Sequence, residues 1–441
     1  MTGDCHVRIC ESLGLTRATR PPSQDPNRNK EPKDKQKRKP GGQVGRIGKN
    51  LKPFENPDEM VNVAVDRESL PKGRTYHIVG FVPRQVVHLI FSRKVIEYRL
   101  EILEDEKGKR YTAKAPEGAS RPVQYGSSVK THALYLGTSQ LIPCGRVEEH
   151  FRDQLKIPLS CGSIFNFYRE AYDLLREKFL PIATQRLIDS SFLHADETGL
   201  NINGKGHWLH AALNDRWTLF MPHKSRGKEA TDHMGILPHF KGFLIHDHWR
   251  PYFRYDNFKH GLCNAHHLRE LQGVMDNYPK STWAELMKAL LLEINEEVKK
   301  AGGVLKDEVA KAYHKRYLEI MDVAEAECPL PPGDPSTPKK RGRLKKTKER
   351  NLFERLRDFQ AETLRFMEEK DVDFTNNAGE RDIRMTKVKQ KISGCFKSFT
   401  GAEHFCLIRS YLLTAQKHGM SATQALAILF SGKLPDFCYS A

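Results

Sequence analysis

Three short stretches of this chain carry an acid where a metal ion could use one. Phe192-Leu-His-Ala-Asp196-Glu197-Thr-Gly199 is an apolar run that ends in two carboxylates. That is the pattern of a buried strand whose acids emerge at its C-terminal edge and are followed by a turn. Gly242-Phe-Leu-Ile-His-Asp247 repeats it with a single acid, and Asn376-Asn377-Ala-Gly-Glu380-Arg381-Asp-Ile-Arg384 sets a third acid one turn into a helix. Hard ions such as Mg²⁺ prefer oxygen ligands and keep several waters, so few carboxylates suffice. Two Mg²⁺ or Mn²⁺ ions about 4 Å apart can activate the attacking oxygen and neutralise the leaving oxygen of a phosphodiester. Asp196, Asp247 and Glu380 are therefore the candidate catalytic residues and metal ligands for phosphoryl transfer.

Each acid also has a plainer reading. Asp196 and Asp247 can be turn formers at strand ends, and Glu380 can be the third position of a capping box with Asn377 as the cap. Their joint appearance in the order Asp, Asp, Glu, beside the basic residues Arg381, Arg384 and Lys387, favours the metal site. Glu197 is its neighbour's opposite, because side chains alternate along a strand. If Asp196 faces the ions, Glu197 faces away and serves structure. His194, His246 and His248 flank the acids and read as packed or solvated rings. Cys263-Asn-Ala-His266 has the spacing of half a zinc site, but no second pair answers it. Zinc is not expected, and Cys263 and His266 are assigned structural roles.

The composition agrees with a nucleic-acid partner. Over 441 residues, 72 Lys and Arg face 55 Asp and Glu, a formal charge of +17. An excess of that size points to a polyanion, with DNA the first candidate. Nine scattered cysteines, none in a Cys-x-x-Cys pair, suggest neither a disulfide framework nor a four-cysteine zinc site and fit a reducing cytoplasm. No apolar run reaches the ~18 residues of a membrane span, so no membrane role is expected.

The elements that must position the acids follow from the periodicity. Residues 1–55 read as a disordered basic segment; between Arg28 and Lys52 there are ten basic and two acidic residues. Within it, Lys39 and Arg46 belong to a glycine-rich stretch that could follow a phosphate backbone, or simply be solvated. Residues 56–125 hold short alternating runs, Val61 to Val65, Val86 to Phe91 and Val95 to Ile102, which read as a small β module. Residues 126–186 turn helical. Ser160 can cap a helix carrying Ile164, Phe165, Tyr168, Ala171, Leu175 and Phe179, and the pair of helices is either a DNA-binding helix-turn-helix or ordinary packing. Residues 187–275 give three antiparallel strands, a helix and two further strands, the opening of an RNase H-like sheet. Residues 276–372 read as an all-α insertion, with Thr282 and Glu285 as a capping box and a basic loop over 338–350 that includes Lys340, Arg341 and Arg343. That loop is either a minor-groove contact or a solvated linker. The last part of the catalytic core and the C-terminal helices fill 373–441. The expected fold is thus an α/β RNase H-like catalytic domain with an all-α insertion, preceded by the β module and the helical domain.

At these residues the chain resembles the IS66 family of bacterial and archaeal insertion-sequence transposases. The resemblance lies in Asp196-Glu-Thr-Gly with Gly206-His-Trp-Leu, in Gly242 to Asp247 with Cys263-Asn-Ala-His266-His-Leu-Arg269, and in Asn376 to Arg384. It extends to Pro40-Gly-Gly-Gln43 and Lys340-Arg-Gly-Arg343. It implies an RNase H-like domain with an Asp-Asp-Glu triad on Asp196, Asp247 and Glu380, acting on element ends and target DNA with two Mg²⁺ or Mn²⁺ ions. It further implies a homo-oligomer on DNA, accessory proteins encoded by the element, and a nucleoid-associated location in the cytoplasm. Two departures stand out. The Cys-rich zinc module usual after the Gly-Gly-Gln segment lacks its cysteines here, and the chain starts later than the family pattern before Pro21-Pro22-Ser23 leads one to expect. Both fall on DNA-end recognition and assembly rather than on chemistry. The alternatives are a catalytically inactive or domesticated DNA-binding relative and an RNase H-like nuclease without strand transfer.

Overall fold

The computed structural model describes residues 52–116, 118–330 and 346–439, and the chain divides into two units at Ile90/Phe91. The described part of the first unit holds one 3₁₀ turn, Arg67–Ser69, and no strand. Just beyond it, β1 (Ile102–Glu104) pairs antiparallel with β2 (Arg110–Thr112). The runs at 61–65 and 86–91 form no strand, and of 95–102 only Ile102 does. Val61, Val63, Leu89 and Ile96 are exposed. An alternating pattern stabilises a strand only where another element covers its apolar face.

In the second unit, α1 (Ser127–Leu134) runs into a π-helical turn at Tyr135–Ser139, followed by α2 (Cys144–Asp153) and α3 (Cys161–Ile188). Ser160 caps α3 as expected, its hydroxyl accepting from the Ser163 amide at 3.2 Å. The buried stripe of α3 is Ile164, Phe167, Ala171, Leu175, Phe179, Ala183 and Leu187, whereas Phe165 faces out. This stripe shares one core with Leu193, Ala195, Ala212 and Leu244, so α3 covers one face of the sheet.

The sheet consists of β3 (Phe192–Ile202), β4 (Lys205–Leu213), β5 (Thr218–His223), β6 (Phe243–His246) and β7 (Lys259–Leu262). Its order is β5-β4-β3-β6-β7; the β5-β4 and β4-β3 pairs are antiparallel, and the β3-β6 and β6-β7 pairs are parallel. β3 outruns the expectation. Thr198-Gly199 does not turn the chain; Asn203 and Gly204 do, with φ of +49° and +79°, the left-handed pair that a two-residue hairpin requires. Helix α4 (Lys228–His233) links β5 to β6.

After α5 (Asn264–Asn277) the insertion comprises α6 (Trp283–Lys300), α7 (Asp307–Glu327), α8 (Lys348–Asp358) and α9 (Gln360–Leu364). They bury Trp283, Met287, Leu290, Tyr317, Leu352 and Phe353 in a second core that also takes Ile245 from the sheet. Thr282 forms no capping box. Glu327, at the end of α7, accepts from the Thr282 and Trp283 amides at 2.7 and 3.1 Å instead. The last helical stretch of the insertion breaks at Phe359, between α8 and α9. The chain then returns with α10 (Asn377–Ser393), α11 (Phe399–Lys417) and α12 (Ala422–Phe430). Leu209, Ala211 and Leu213 pack with Ile383 and Phe405, placing α10 on the sheet face opposite α3, whereas α11 lies along the β5 edge, its Ser410 and Thr414 hydroxyls accepting from the Phe220 and Thr218 amides, and also joins the α3 core through Ile408, Tyr411 and Leu412. No helix among the described residues is long and apolar enough to cross a membrane.

Candidate active site

The sheet sets the first acid and brings the second beside it. Because β3 continues to pair with β4 as far as Ile202↔Lys205, Asp196 lies in mid-strand, opposite Ala211, rather than at a strand end. The parallel register pairs Phe192↔Phe243, Leu193↔Leu244 and His194↔Ile245. Two more steps along both chains bring Asp196 beside Asp247. Alternation gives both the same face as Phe192 and Ile245, the face turned towards the insertion. Burial, then the nearby charges of Glu197, Asp247 and Glu380, push the Asp196 carboxyl up to about 7, although the Glu197 amide, which donates to its Oδ1 at 2.8 Å, works the other way. Asp247 Oδ1 accepts from the Trp249 amide at 3.0 Å.

The third acid arrives on α10, and Asn376 governs how. Asn376 occupies the cap position expected for Asn377, yet its side chain caps nothing. It is buried, donates to the Ala195 carbonyl at 2.8 Å and pairs through Oδ1 with His194 Nδ1 at 2.9 Å, while its amide donates to Cys263 Sγ at 3.1 Å. One side chain and one amide thus tie α10 to β3 and to the start of α5. The approach is close: a Cβ at Gly379 would lie 3.4 Å from Asp196 Cβ and 3.1 Å from Asn376 Oδ1. Glu380 follows directly. It takes part in no capping box; its Oε1 lies 3.2 Å from Arg269 Nη2 and 3.7 Å from His266 Nε2, with 35% of the side chain exposed.

Glu197 faces away from Asp196, as alternation requires. Its side chain is 1% exposed; Oε1 accepts from Arg226 Nε and Nη2 at 3.0 and 2.6 Å, and Oε2 from the Tyr252 hydroxyl at 2.8 Å. The Arg226 guanidinium is stacked between the indoles of Trp208 and Trp249, 4.7 and 4.9 Å from the ring centroids, contacts worth roughly 0.5–2 kcal/mol each. Burial raises the Glu197 carboxyl, Asp247 adds to the rise, and the bonds from Arg226 and Tyr252 oppose it.

Beside Asp247 opens a cavity of about 230 Å³ lined by His248, Trp249, Cys263, His266 and, from the insertion, Arg355. Burial lowers His248 to about 4 and His267 to about 3, so both are neutral imidazoles near pH 7. Cys263 and His266, expected to be structural, thus sit at the site itself. Burial raises the Cys263 thiol.

Among the described residues no three His, Cys, Asp or Glu side chains converge closely enough to hold an ion as they stand. The donor chemistry nonetheless fits a hard divalent cation. Burial and, after it, three neighbouring carboxylates push the Asp196 carboxyl up to about 7, a charge pile-up that a cation with oxygen preference would relieve. Of the expected DNA contacts, Arg381 and Arg384 are exposed on α10, whereas Lys387 is half-buried and donates to the Gly199 carbonyl. Lys39, Arg46, Lys340, Arg341 and Arg343 lie outside the described residues. Asn376, Arg226 and Arg269 were not singled out from the sequence for the contacts they make. Asn376 reads there as one more helix-start residue, and Arg226 follows β5 with no local pattern.

No curated protein matches the chain. The family described as Transposase IS66 family matches residues 122–404, which is well over half of the chain and includes all three acids. The chain belongs to the IS66 family of transposases.

Proposed function

We propose that this transposase cleaves and joins DNA by an Asp-Asp-Glu mechanism in an RNase H-like domain, with Asp196, Asp247 and Glu380 as the triad and two Mg²⁺ or Mn²⁺ ions as cofactors. The observation that carries the reading is the meeting of two elements. Asp196 on β3 lies beside Asp247, the residue just past the end of the adjacent parallel strand β6, and the Gly379-Glu380 turn lies over Asp196. The sheet order, three antiparallel strands followed by two parallel ones, supports the RNase H-like assignment.

When bound, such ions supply activation of the attacking oxygen and neutralisation of the leaving oxygen. The chain's own residues do the rest. Asp196 sheds the proton that burial and its neighbours retain, so loading the site releases a proton. Glu380 leaves Arg269 to complete the set, and α10 carries it there with Asn376 as the fixed point. Arg381 and Arg384, exposed on the same helix, contact phosphates and position DNA without reading its sequence. Water attacks the strand at the element end, and the freed 3′-hydroxyl then attacks target DNA by the same in-line displacement. The expected partners are element ends, target DNA, further copies of the chain and accessory proteins of the element.

The test is cleavage and joining of labelled DNA carrying the element's ends, with Mg²⁺ or Mn²⁺, by the parent and by Asp247→Ala. Joining by the parent alone supports the reading. Cleavage without joining indicates a nuclease, and DNA binding with no cleavage by either protein indicates a relic that keeps its acids without their chemistry.

A further inference from the structure

We propose that Glu197 and Arg226 are positioning residues that set Asp247 from the far face of the sheet, and thereby set the affinity of the acid site for its divalent ions. The proposal rests on the reading of Asp196, Asp247 and Glu380 as metal ligands. Asp247 lies past the end of β6, in the short link to the 3₁₀ turn Arg250–Arg254, so no strand pairing holds it. His246 Nδ1 meets the Asp247 carbonyl, and the Asp247 carboxylate is held by a relay. The Trp249 amide donates to Asp247 Oδ1 at 3.0 Å. The Trp249 indole packs on the Arg226 guanidinium at 4.9 Å and edge-on to the Tyr252 ring at 5.1 Å. Arg226 and Tyr252 both end on the buried Glu197 carboxylate, one on each oxygen. Trp208 closes the other face of Arg226 at 4.7 Å.

The chain's connectivity makes this arrangement informative. Glu197 is the next residue after Asp196, and its amide donates to the Asp196 carboxylate at 2.8 Å. One residue therefore fixes the first acid through its backbone and the carrier of the second through its side chain. A buried carboxylate and guanidinium are a poor way to gain stability alone, because well-packed apolar residues of similar volume generally do as well. Groups that orient metal ligands from behind commonly change metal affinity or activity by about 10–100-fold when altered.

The test uses the full-length chain. Arg226→Lys keeps the charge but loses the planar fork and its stacking, and Glu197→Gln keeps the shape but loses the charge. Mn²⁺ binding to the free protein is measured by titration calorimetry, and the Mg²⁺ concentration for half-maximal cleavage is measured beside it. Both values are expected to rise about 10–100-fold in each variant, with DNA binding unchanged and cleavage recovered at excess Mn²⁺. An unchanged Mn²⁺ affinity overturns the proposal, whether or not thermal stability falls. If Arg226→Lys fails to fold, Trp249→Phe takes its place: it keeps an aromatic ring against Tyr252 and shortens the contact with Arg226, and a severalfold weaker Mn²⁺ affinity is expected. Mn²⁺ binding that Asp247→Ala abolishes, in a parent that cleaves no DNA, sinks the transposition reading alone, and the variants' affinities then still decide the clamp. A parent that binds no Mn²⁺ overturns both.

Discussion

The two halves of the acid site are built in opposite ways. Asp196 comes from β3 and Asp247 from the residue just past the end of the adjacent parallel strand β6, and Asp196 is buried enough to hold its carboxyl up to about 7. Glu380 comes from the first turn of a helix that the chain reaches only after the insertion, stays partly exposed, and rests on an arginine. The strand half is positioned in advance and carries electrostatic repulsion. The helix half is relaxed and must be drawn in. On the proposed reading, a site assembled this way folds without its ions and gathers three ligands when ions and DNA arrive, because the exposed ligand is the one free to move.

Breaking the strand half should have the largest effect. Asp196→Ala or Asp247→Ala is expected to lower strand cleavage by roughly 10³-fold or more, read in the labelled-end assay, while DNA binding persists. Breaking the seam between the halves comes next. Asn376→Ala removes the bonds to His194 and the Ala195 carbonyl. Leaving those buried groups unpaired should cost about 1–3 kcal/mol, visible in denaturant unfolding, and displacement of α10 should slow cleavage by about 10²-fold.

The repulsion in the strand half has a pH signature. Asp196 is raised in the folded state from 3.8 to about 7, so the folded chain binds its proton more tightly than the unfolded chain does. Its contribution to stability is present in full below pH ~4 and is lost as pH rises towards 7. The metal-free protein should therefore lose roughly 2–4 kcal/mol across that window from this group, and Asp196→Asn should remove most of the loss. Urea unfolding at pH 4.5 and 7.5 without divalent ions measures both. The helix half should respond least. Glu380→Gln touches a partly exposed pair and is expected to change stability by under about 1 kcal/mol, although cleavage is still lost.

Much of the strand half was legible in the sequence, because a short apolar run ending in an acid is a local pattern that survives folding. The face of Glu197 was legible too, since alternation is a property of the strand alone. Features that depend on distant partners were not. β3 runs on past Thr198-Gly199 because β4 pairs with it and Asn203-Gly204 supplies the turn. Asn376, in a cap position, spends its side chain on His194 and Ala195, about 180 residues away in the chain. Thr282 is served by Glu327 rather than by its own helix. Conversely, the alternating runs from Val61 to Phe91 carry the local signature of strands and form none, their side chains being exposed. Periodicity reports which face can be buried, and only the rest of the chain supplies something to bury it against.

The most direct test of the two-halves arrangement is anomalous diffraction from Mn²⁺ in crystals of the chain bound to its end DNA. Manganese peaks bounded by the carboxylates of Asp196, Asp247 and Glu380 are expected, with Glu380 withdrawn from Arg269. Peaks elsewhere, or a site on Asp196 and Asp247 with Glu380 still paired to Arg269, would contradict it.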